Sequence, residues 1–489
     1  MRFNKVLLIQ PRYRSSHYGA YRPPAGLGYL AEVLKSNGID YDVLDMDQGY
    51  DYRALKEKIA AYLPDLIGVT MLSLDCMKTY RMLTQTKEDF PQIPLVVGGA
   101  HISVMREEAL SQCPAIDYGV VMEGEFTLIE LCKGIPLEEI HGLIYRSNKK
   151  IIYTGNRAFC KELDSIPWPK YDKFDMKKYI LREVSIITSR GCPYNCIYCP
   201  VKLAIGKQMR FRGASNVVDE IEYWIRKGYR FYIGDDNFTA AKKRVYEICD
   251  EMEDRDIAGV TNLQCLNGVR ADCVDRALLS RMKEVGFTAL AFGVEGGNEN
   301  MLRIIKKGER LADIESAIKD ACDLGFDVTL FFLVGIPGET WSDFEDAVGL
   351  ALKYPIADVR FYNLIPFPRT EVYDIVSKNN YFIYPKDSYL DEVYAWGTEP
   401  VFATPEFPHE QRRKALKMGH KIRLKIRQQF ARRRLAKLGP LAGLAAMLFI
   451  QPAVQNILYN NGPIRRFAEN IDRQLTRGKN GPLRAAERA

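Results

Sequence analysis

Residues 190–200 read RGCPYNCIYCP and place cysteines at 192, 196 and 199. Three thiols this close admit three readings. Free cysteine packs as a small buried hydrophobe. Zinc also takes thiolates, but a structural zinc site wants four donors, usually as two separated pairs. An iron–sulfur cluster is held by cysteine thiolates, and three of them satisfy three irons of a 4Fe–4S cube and leave the fourth open to a small molecule. Pro193 and Pro200 stiffen the loop that would wrap such a cube. The other eight cysteines are scattered and read as packing residues.

Outward from this loop the chain alternates between strand-like and helix-like stretches. VSIITSR, RFYIGDD, NLQCLNG, TALAFGVEGG, VTLFFLVGIPGE and VRFYNLIPF read as strands, with helical patterns such as ASNVVDEIEYWIRKG between them. Six such units predict a partial (βα)6 TIM-type barrel over 181–375. Barrels of this kind work at the C-terminal ends of their strands. The ends SRGC, GDDN, GVEGG and GIPGE carry the polar and glycine residues that this rule asks for.

Residues 1–140 show the same alternation, with strands expected at 5–11, 41–47, 65–71, 94–100 and 118–125. The predicted fold class is α/β, with an N-terminal doubly wound, Rossmann- or flavodoxin-like parallel sheet. Open sheets of this type bind ligands at the carboxyl ends of their strands. Residues 141–180 are polar and carry prolines, as a linker would. Residues 376–489 form a C-terminal region with a basic and an apolar amphipathic stretch.

The 489 residues are 47% hydrophobic and 27% charged, which is ordinary for a globular protein. The net charge of +7 arises in the tail, because residues 411–468 hold fourteen Lys or Arg and no Asp or Glu. The body is mildly acidic, so the charge does not imply nucleic-acid binding. The N-terminal MRFNKVLLIQPRYR has too short an apolar run for a signal peptide. A cytoplasmic location and reduced cysteines are therefore expected.

The Cys192, Cys196, Cys199 run, together with DDNFT (235–239), GVEGG (293–297) and GIPGET (335–340), resembles the radical S-adenosylmethionine (SAM) enzymes. PPAGLGYLAEVL, VVGGAH and VMEGEFTLIEL resemble the N-terminal cobalamin-binding domain that some of these enzymes carry. The resemblance implies three cofactors: a 4Fe–4S cluster on the three cysteines, SAM on its open iron, and cobalamin. It places Tyr198 beside the adenine and Asp235 and Asp236 near the methionyl amino group. The usual motif there has two glycines and a glutamate, and a helix N-cap is the plainer role for the two aspartates. Glu295 would accept the ribose hydroxyls, Arg270 would meet the SAM carboxylate, and Gly335 to Gly338 would let backbone approach the adenine. For cobalamin the resemblance points to Thr70, Ser73, Gly98, Gly99, Gly124 and Glu125. The cobalt-ligating D-x-H-x-x-G is absent: neither His17 nor His101 has an aspartate two positions before it. A relict sheet that no longer binds the corrin is the alternative.

The resemblance further implies reductive cleavage of SAM to a 5′-deoxyadenosyl radical, hydrogen abstraction, and methyl transfer from cobalamin to an unactivated carbon of a small-molecule or lipid substrate. An electron donor such as a flavodoxin or ferredoxin would feed the cluster. Ring formation or rearrangement without net methylation is the first alternative. A non-catalytic iron–sulfur scaffold or RNA-binding module is the second. The basic tail and the apolar stretch 438–459 admit a helical cap, an interfacial anchor on the inner face of a membrane, or a span. Gln451, Pro452, Gln455 and Asn456 argue against the span.

Overall fold

The computed structural model describes residues 2–13, 20–148, 150–259, 263–386, 388–392 and 397–441, together with 443, 447 and 454. Apolar runs at the N-terminus form strands buried on both faces, as parallel sheets require. They are β1 (Lys5–Gln10), β2 (Asp40–Asp45), β3 (Leu66–Thr70), β4 (Leu95–Gly98) and β5 (Tyr118–Val120), all parallel. The sheet then continues past residue 140. β6 (Leu143–Ser147) and β7 (Lys150–Tyr153) add antiparallel to its edge, giving the order β2-β1-β3-β4-β5-β6-β7. The segment expected to open a linker at 141 thus begins with two sheet strands. Its polar residues serve the edge, because Arg146 of β6 donates to the carbonyls of Ile116 at 3.1 Å and Cys113 at 3.3 Å.

The second sheet holds β8 (Glu183–Ile186), β11 (Arg230–Ile233), β12 (Leu263–Val269), β13 (Phe287–Glu295), β14 (Asp327–Val334) and β15 (Asp358–Asn363), all parallel, in the order β15-β14-β13-β12-β11-β8. Between β8 and β11 the short antiparallel pair β9 (Ser189–Arg190) and β10 (Arg210–Phe211) brackets the cysteine loop. The outer face of the arc packs aromatic rings. Phe332 of β14 stacks on Phe361 of β15 at 5.1 Å, and Phe344 from the helix Trp341–Lys353 meets Phe361 at 5.6 Å. Each such ring contributes about 1.5–3 kcal/mol through burial.

The basic tail takes the helical-cap form, one of the three that its sequence admits. Residues His409–Arg434 form a 26-residue helix that lies along β15, burying Ala415, Leu416, Gly419 and Ile426. An added Cβ on Gly419 would meet the Phe361 ring at 2.8 Å, so glycine sets this close approach. Several of its cations are committed to the barrel. Arg423 donates twice to Asp358 at 2.9 Å, Arg433 donates to the carbonyls of Pro355 and Ile356 at 2.8 Å, and Arg434 pairs with Asp327. This part of 411–468 is a helix packed on the barrel. Most of the apolar stretch 438–459 lies outside the described residues. Among the described residues no helix is long and apolar enough to cross a membrane.

Candidate active site

The cysteine loop is built on a rigid base. The Asp235 carboxylate at the end of β11 accepts from the Thr188 amide at 2.6 Å, the Thr188 hydroxyl at 2.5 Å and the Ser189 hydroxyl at 2.6 Å. Gly191 then turns at φ +101°, where a Cβ would meet the Gln208 carbonyl at 2.1 Å, so only glycine fits. Within the loop the Cys192 amide donates to the Gly206 carbonyl at 3.2 Å and the Cys199 amide to the Cys196 carbonyl at 3.2 Å. All three thiols are partly buried. Burial pushes the Cys192 thiol up and the Cys199 thiol up to about 12, and the charge of Cys196 acts on both. The charge of Cys196 thus reaches both other thiols of the loop, where a cation would convert thiols to ligands. Among the described residues no three His, Cys, Asp or Glu side chains converge on a single ion. Thiolates on different irons of a cluster have no need to.

Above the loop the strand ends supply the next groups. Glu295 ends β13 at φ +68°, a strained value for a non-glycine residue, and accepts from Lys307 at 3.4 Å. Burial pushes the Tyr198 hydroxyl well above its ordinary range, and the neighbouring Glu295 carboxylate adds to the push. Lys307 also faces Glu309 at 3.5 Å. Among the described residues Asp236 has no hydrogen-bond partner, and it lines a cavity; burial, then the charge of Asp235, pushes its carboxyl up to about 6. Tyr198, Glu295 and Lys307 thus form one group at the barrel mouth, with Asp236 on the cavity wall.

Two expected ligand-binding groups are already engaged. Asp235 accepts three hydrogen bonds from Thr188 and Ser189, so its carboxylate braces the loop. Arg270 donates to Asp272 at 3.0 and 2.9 Å and to the Lys307 carbonyl at 2.9 Å, and lies 3.4 Å over the Tyr194 ring. The glycines after β14 differ from each other. Gly338, at φ +82°, is open apart from Ile304 at 3.8 Å, whereas at Gly335 a Cβ would strike the Arg412 guanidinium at 1.9 Å.

The carboxyl ends of the first sheet face this mouth across a cavity of about 350 Å³. Thr70, Gly98, Gly99, Gly124 and Glu125 line it from one side, and Ser189, Arg190, Gly234 and Asp236 from the other. Gly26 also lines it, and a Cβ there would meet nothing within 4 Å. Two of these residues serve the protein itself: Gly99 approaches the Met71 carbonyl too closely for a side chain, and Glu125 accepts from Arg190. Ser73 is not part of this lining. It is buried 3.1 Å from His101 Nδ1, while Tyr80 lies 2.7 Å from His101 Nε2. Burial pushes His101 down to about 4. His17 lies outside the described residues.

The sequence reading missed Lys307, Glu309, Arg190, Glu123, Glu339 and Arg412. The IIKKGER stretch carries no periodic signal, and only the need of a buried Glu295 for a cation could have singled out Lys307.

With the geometry in hand, comparison with known proteins is specific. A model of the Radical SAM superfamily matches residues 186–351, and one of the B12 binding domain matches residues 15–132. An uncharacterised methyltransferase of Pyrococcus horikoshii is 28% identical over 439 residues, covering 86% of this chain and 92% of the relative. An anaerobic magnesium-protoporphyrin IX monomethyl ester cyclase of Rubrivivax gelatinosus is 27% identical, with 80% and 73% covered. Among solved structures, the radical SAM methyltransferase TsrM of Kitasatospora setae, with cobalamin and a [4Fe-4S] cluster bound, superposes with a TM-score of 0.67 at 21% identity, covering 78% of this chain and 75% of that one. The cobalamin-dependent radical enzyme OxsB gives 0.66 at 15% identity, covering 97% and 75%. These structures share the fold.

The chain thus carries a radical SAM domain and a B12-binding domain. Its cofactors are accordingly a 4Fe–4S cluster, SAM and cobalamin. The residues present fit them: three thiols in one desolvated loop, an unpartnered carboxylate and an open glycine at the strand ends, and a glycine-lined cleft at the carboxyl ends of a doubly wound sheet.

Proposed function

We propose that this enzyme transfers a methyl group to a carbon of a small-molecule or lipid substrate. The single cavity lined by the functional ends of both sheets supports this reading, because it lets a corrin and a radical source act on one substrate. Relatives named as methyltransferases support it as well. When bound, the cluster and SAM supply reducing and radical chemistry and cobalamin supplies a transferable methyl group.

The protein supplies position and electrostatics. Cys192, Cys196 and Cys199 would hold the cluster. Tyr198 would flank the adenine, and Glu295 would accept the ribose hydroxyls with its charge balanced by Lys307. Asp236 would accept from the SAM amino group, and Gly338 would let backbone approach the ligand. Thr70, Gly98 and Gly124 would line the corrin. Arg190, paired with Glu123 and Glu125, fastens the two halves of the cleft. A small redox protein such as a flavodoxin or ferredoxin would donate electrons.

Anaerobic reconstitution with iron, sulfide and hydroxocobalamin, followed by incubation with cell extract and SAM labelled with deuterium in its methyl group, tests the reading. A product carrying the labelled methyl supports it. SAM consumption with an unlabelled, dehydrogenated or cyclised product would replace it with the ring-forming reading that the cyclase relative represents.

A further inference from the structure

The loop Gly335–Gly338, which the proposed function gives to SAM, is not shaped by the barrel alone. Beneath it lies Arg412, from the first turn of the C-terminal helix, with its side chain fully buried. Its guanidinium donates to the Phe402 carbonyl at 2.6 Å, to the Val334 carbonyl at 3.0 Å, and to Asn363 Oδ1 and the Leu364 carbonyl at 3.1 Å each. Val334 ends β14, and Asn363 ends β15, so one side chain ties together the catalytic ends of two strands. From the other side the buried Glu339 carboxylate accepts from the amides of Gly335 and, at 3.0 Å, Ile336. The turn at Gly335, φ +101°, is therefore held between a cation below and a carboxylate in front.

We infer that Arg412 is a positioning residue for SAM: it fixes the Gly335–Gly338 backbone in the conformation that receives the ligand. Stability alone gives a weak reason for such a group, since burying a charge costs about as much as its contacts return. Geometry gives a better one. The fork serves three segments from two nitrogens, Nη1 reaching Phe402 while the two hydrogens of Nη2 are shared among Val334, Asn363 and Leu364, whereas a lysine ammonium presents all its donors from one atom.

This inference rests on the assignment of the loop to SAM, and the test separates the two. Arg412→Lys, Arg412→Met and Gly338→Val are made in the full, reconstituted chain. Binding of radiolabelled SAM is measured by equilibrium dialysis, alongside the change SAM causes in the electron paramagnetic resonance of the reduced cluster, iron per chain and cobalamin absorbance. The expected result is SAM affinity about tenfold weaker in both Arg412 variants, as loss of a net hydrogen bond or two predicts, with iron and cobalamin retained. Normal SAM binding by the Arg412 variants with loss in Gly338→Val overturns the inference and leaves the loop assignment standing. Normal binding by all three overturns both. Joint loss of SAM, iron and cobalamin in both Arg412 variants makes Arg412 a general fold element and also overturns it.

Discussion

Arg190 donates from Nη2 to the Glu125 carboxylate at 2.6 Å, and this contact crosses from the strand that enters the cysteine loop to the helix Glu125–Lys133 that follows β5 of the first sheet. Arg190 also reaches Glu123 at 3.1 Å, and Glu123 binds Arg210 at 2.5 Å. Burial would push the Glu125 carboxyl up, but the Arg190 guanidinium outweighs it and holds it below its ordinary range. The corrin-facing sheet and the cluster loop are thus joined by charge at the cavity wall.

Arg190→Met leaves two buried carboxylates without this cation. Breaking one side of a buried pair costs about 3–5 kcal/mol. Denaturant unfolding should report a loss of that order, with weaker retention of hydroxocobalamin on gel filtration. An unchanged midpoint and full retention would show that the two halves do not depend on this network.

Replacing Cys192, Cys196 and Cys199 together by alanine should remove the bound iron and its visible absorbance after anaerobic reconstitution. Cys249→Ala and Cys322→Ala, which change packing residues away from the loop, should keep both. Iron content near that of the parent chain in the triple variant would refute the cluster assignment.

His101 predicts a pH effect with a defined sign. Its folded value lies near 4 against an ordinary 6.5, so above pH 6.5 both folded and unfolded chains carry it neutral. As pH falls from 6.5 towards 4 the unfolded chain takes up a proton that the folded chain refuses, and stability is lost. The shift is equivalent to about 3 kcal/mol over this window. His101→Gln should flatten the difference in unfolding midpoint between pH 6.5 and 4.5. A variant as steeply pH-dependent as the parent chain would rule this residue out as the cause.

Two glycines should respond in opposite directions to the same change. Gly419→Ala drives a Cβ against the buried Phe361 ring and should destabilise by about 1–3 kcal/mol, beyond any gain in helix propensity. At Gly349, inside the helix Trp341–Lys353, an added Cβ meets nothing within 4 Å. Gly349→Ala should therefore stabilise by about 1 kcal/mol. Thermal unfolding of the two variants side by side settles the contrast.

The strand–helix alternation and the polar strand ends were legible because periodicity and glycine placement are local properties. The cysteine loop was legible for the same reason. What failed was direction. Asp235 and Asp236 are adjacent and chemically identical, yet one is consumed by Thr188 and Ser189 while the other faces the cavity, and strand alternation alone does not say which. Arg270 has the right charge in the right place but is already paired with Asp272. Arg412 read as one cation in a basic tail because its acceptors at Val334, Asn363 and Leu364 lie far away in sequence. β6 and β7 read as linker because an exposed sheet edge tolerates polar residues.

The docking of the helix His409–Arg434 on β15 also sets an order of events during biosynthesis. Arg412 follows Cys199 by roughly 210 residues, which at about 5–20 residues per second is about 10–40 s of ribosomal synthesis. Most of that interval makes the barrel strands themselves; once β15 is complete at Asn363 about 50 residues remain, about 2–10 s, during which the last strand is uncovered and the Gly335 turn lacks its support. Cluster delivery can therefore begin on the ribosome, whereas a turn ready for SAM arises only once the helix has emerged and docked.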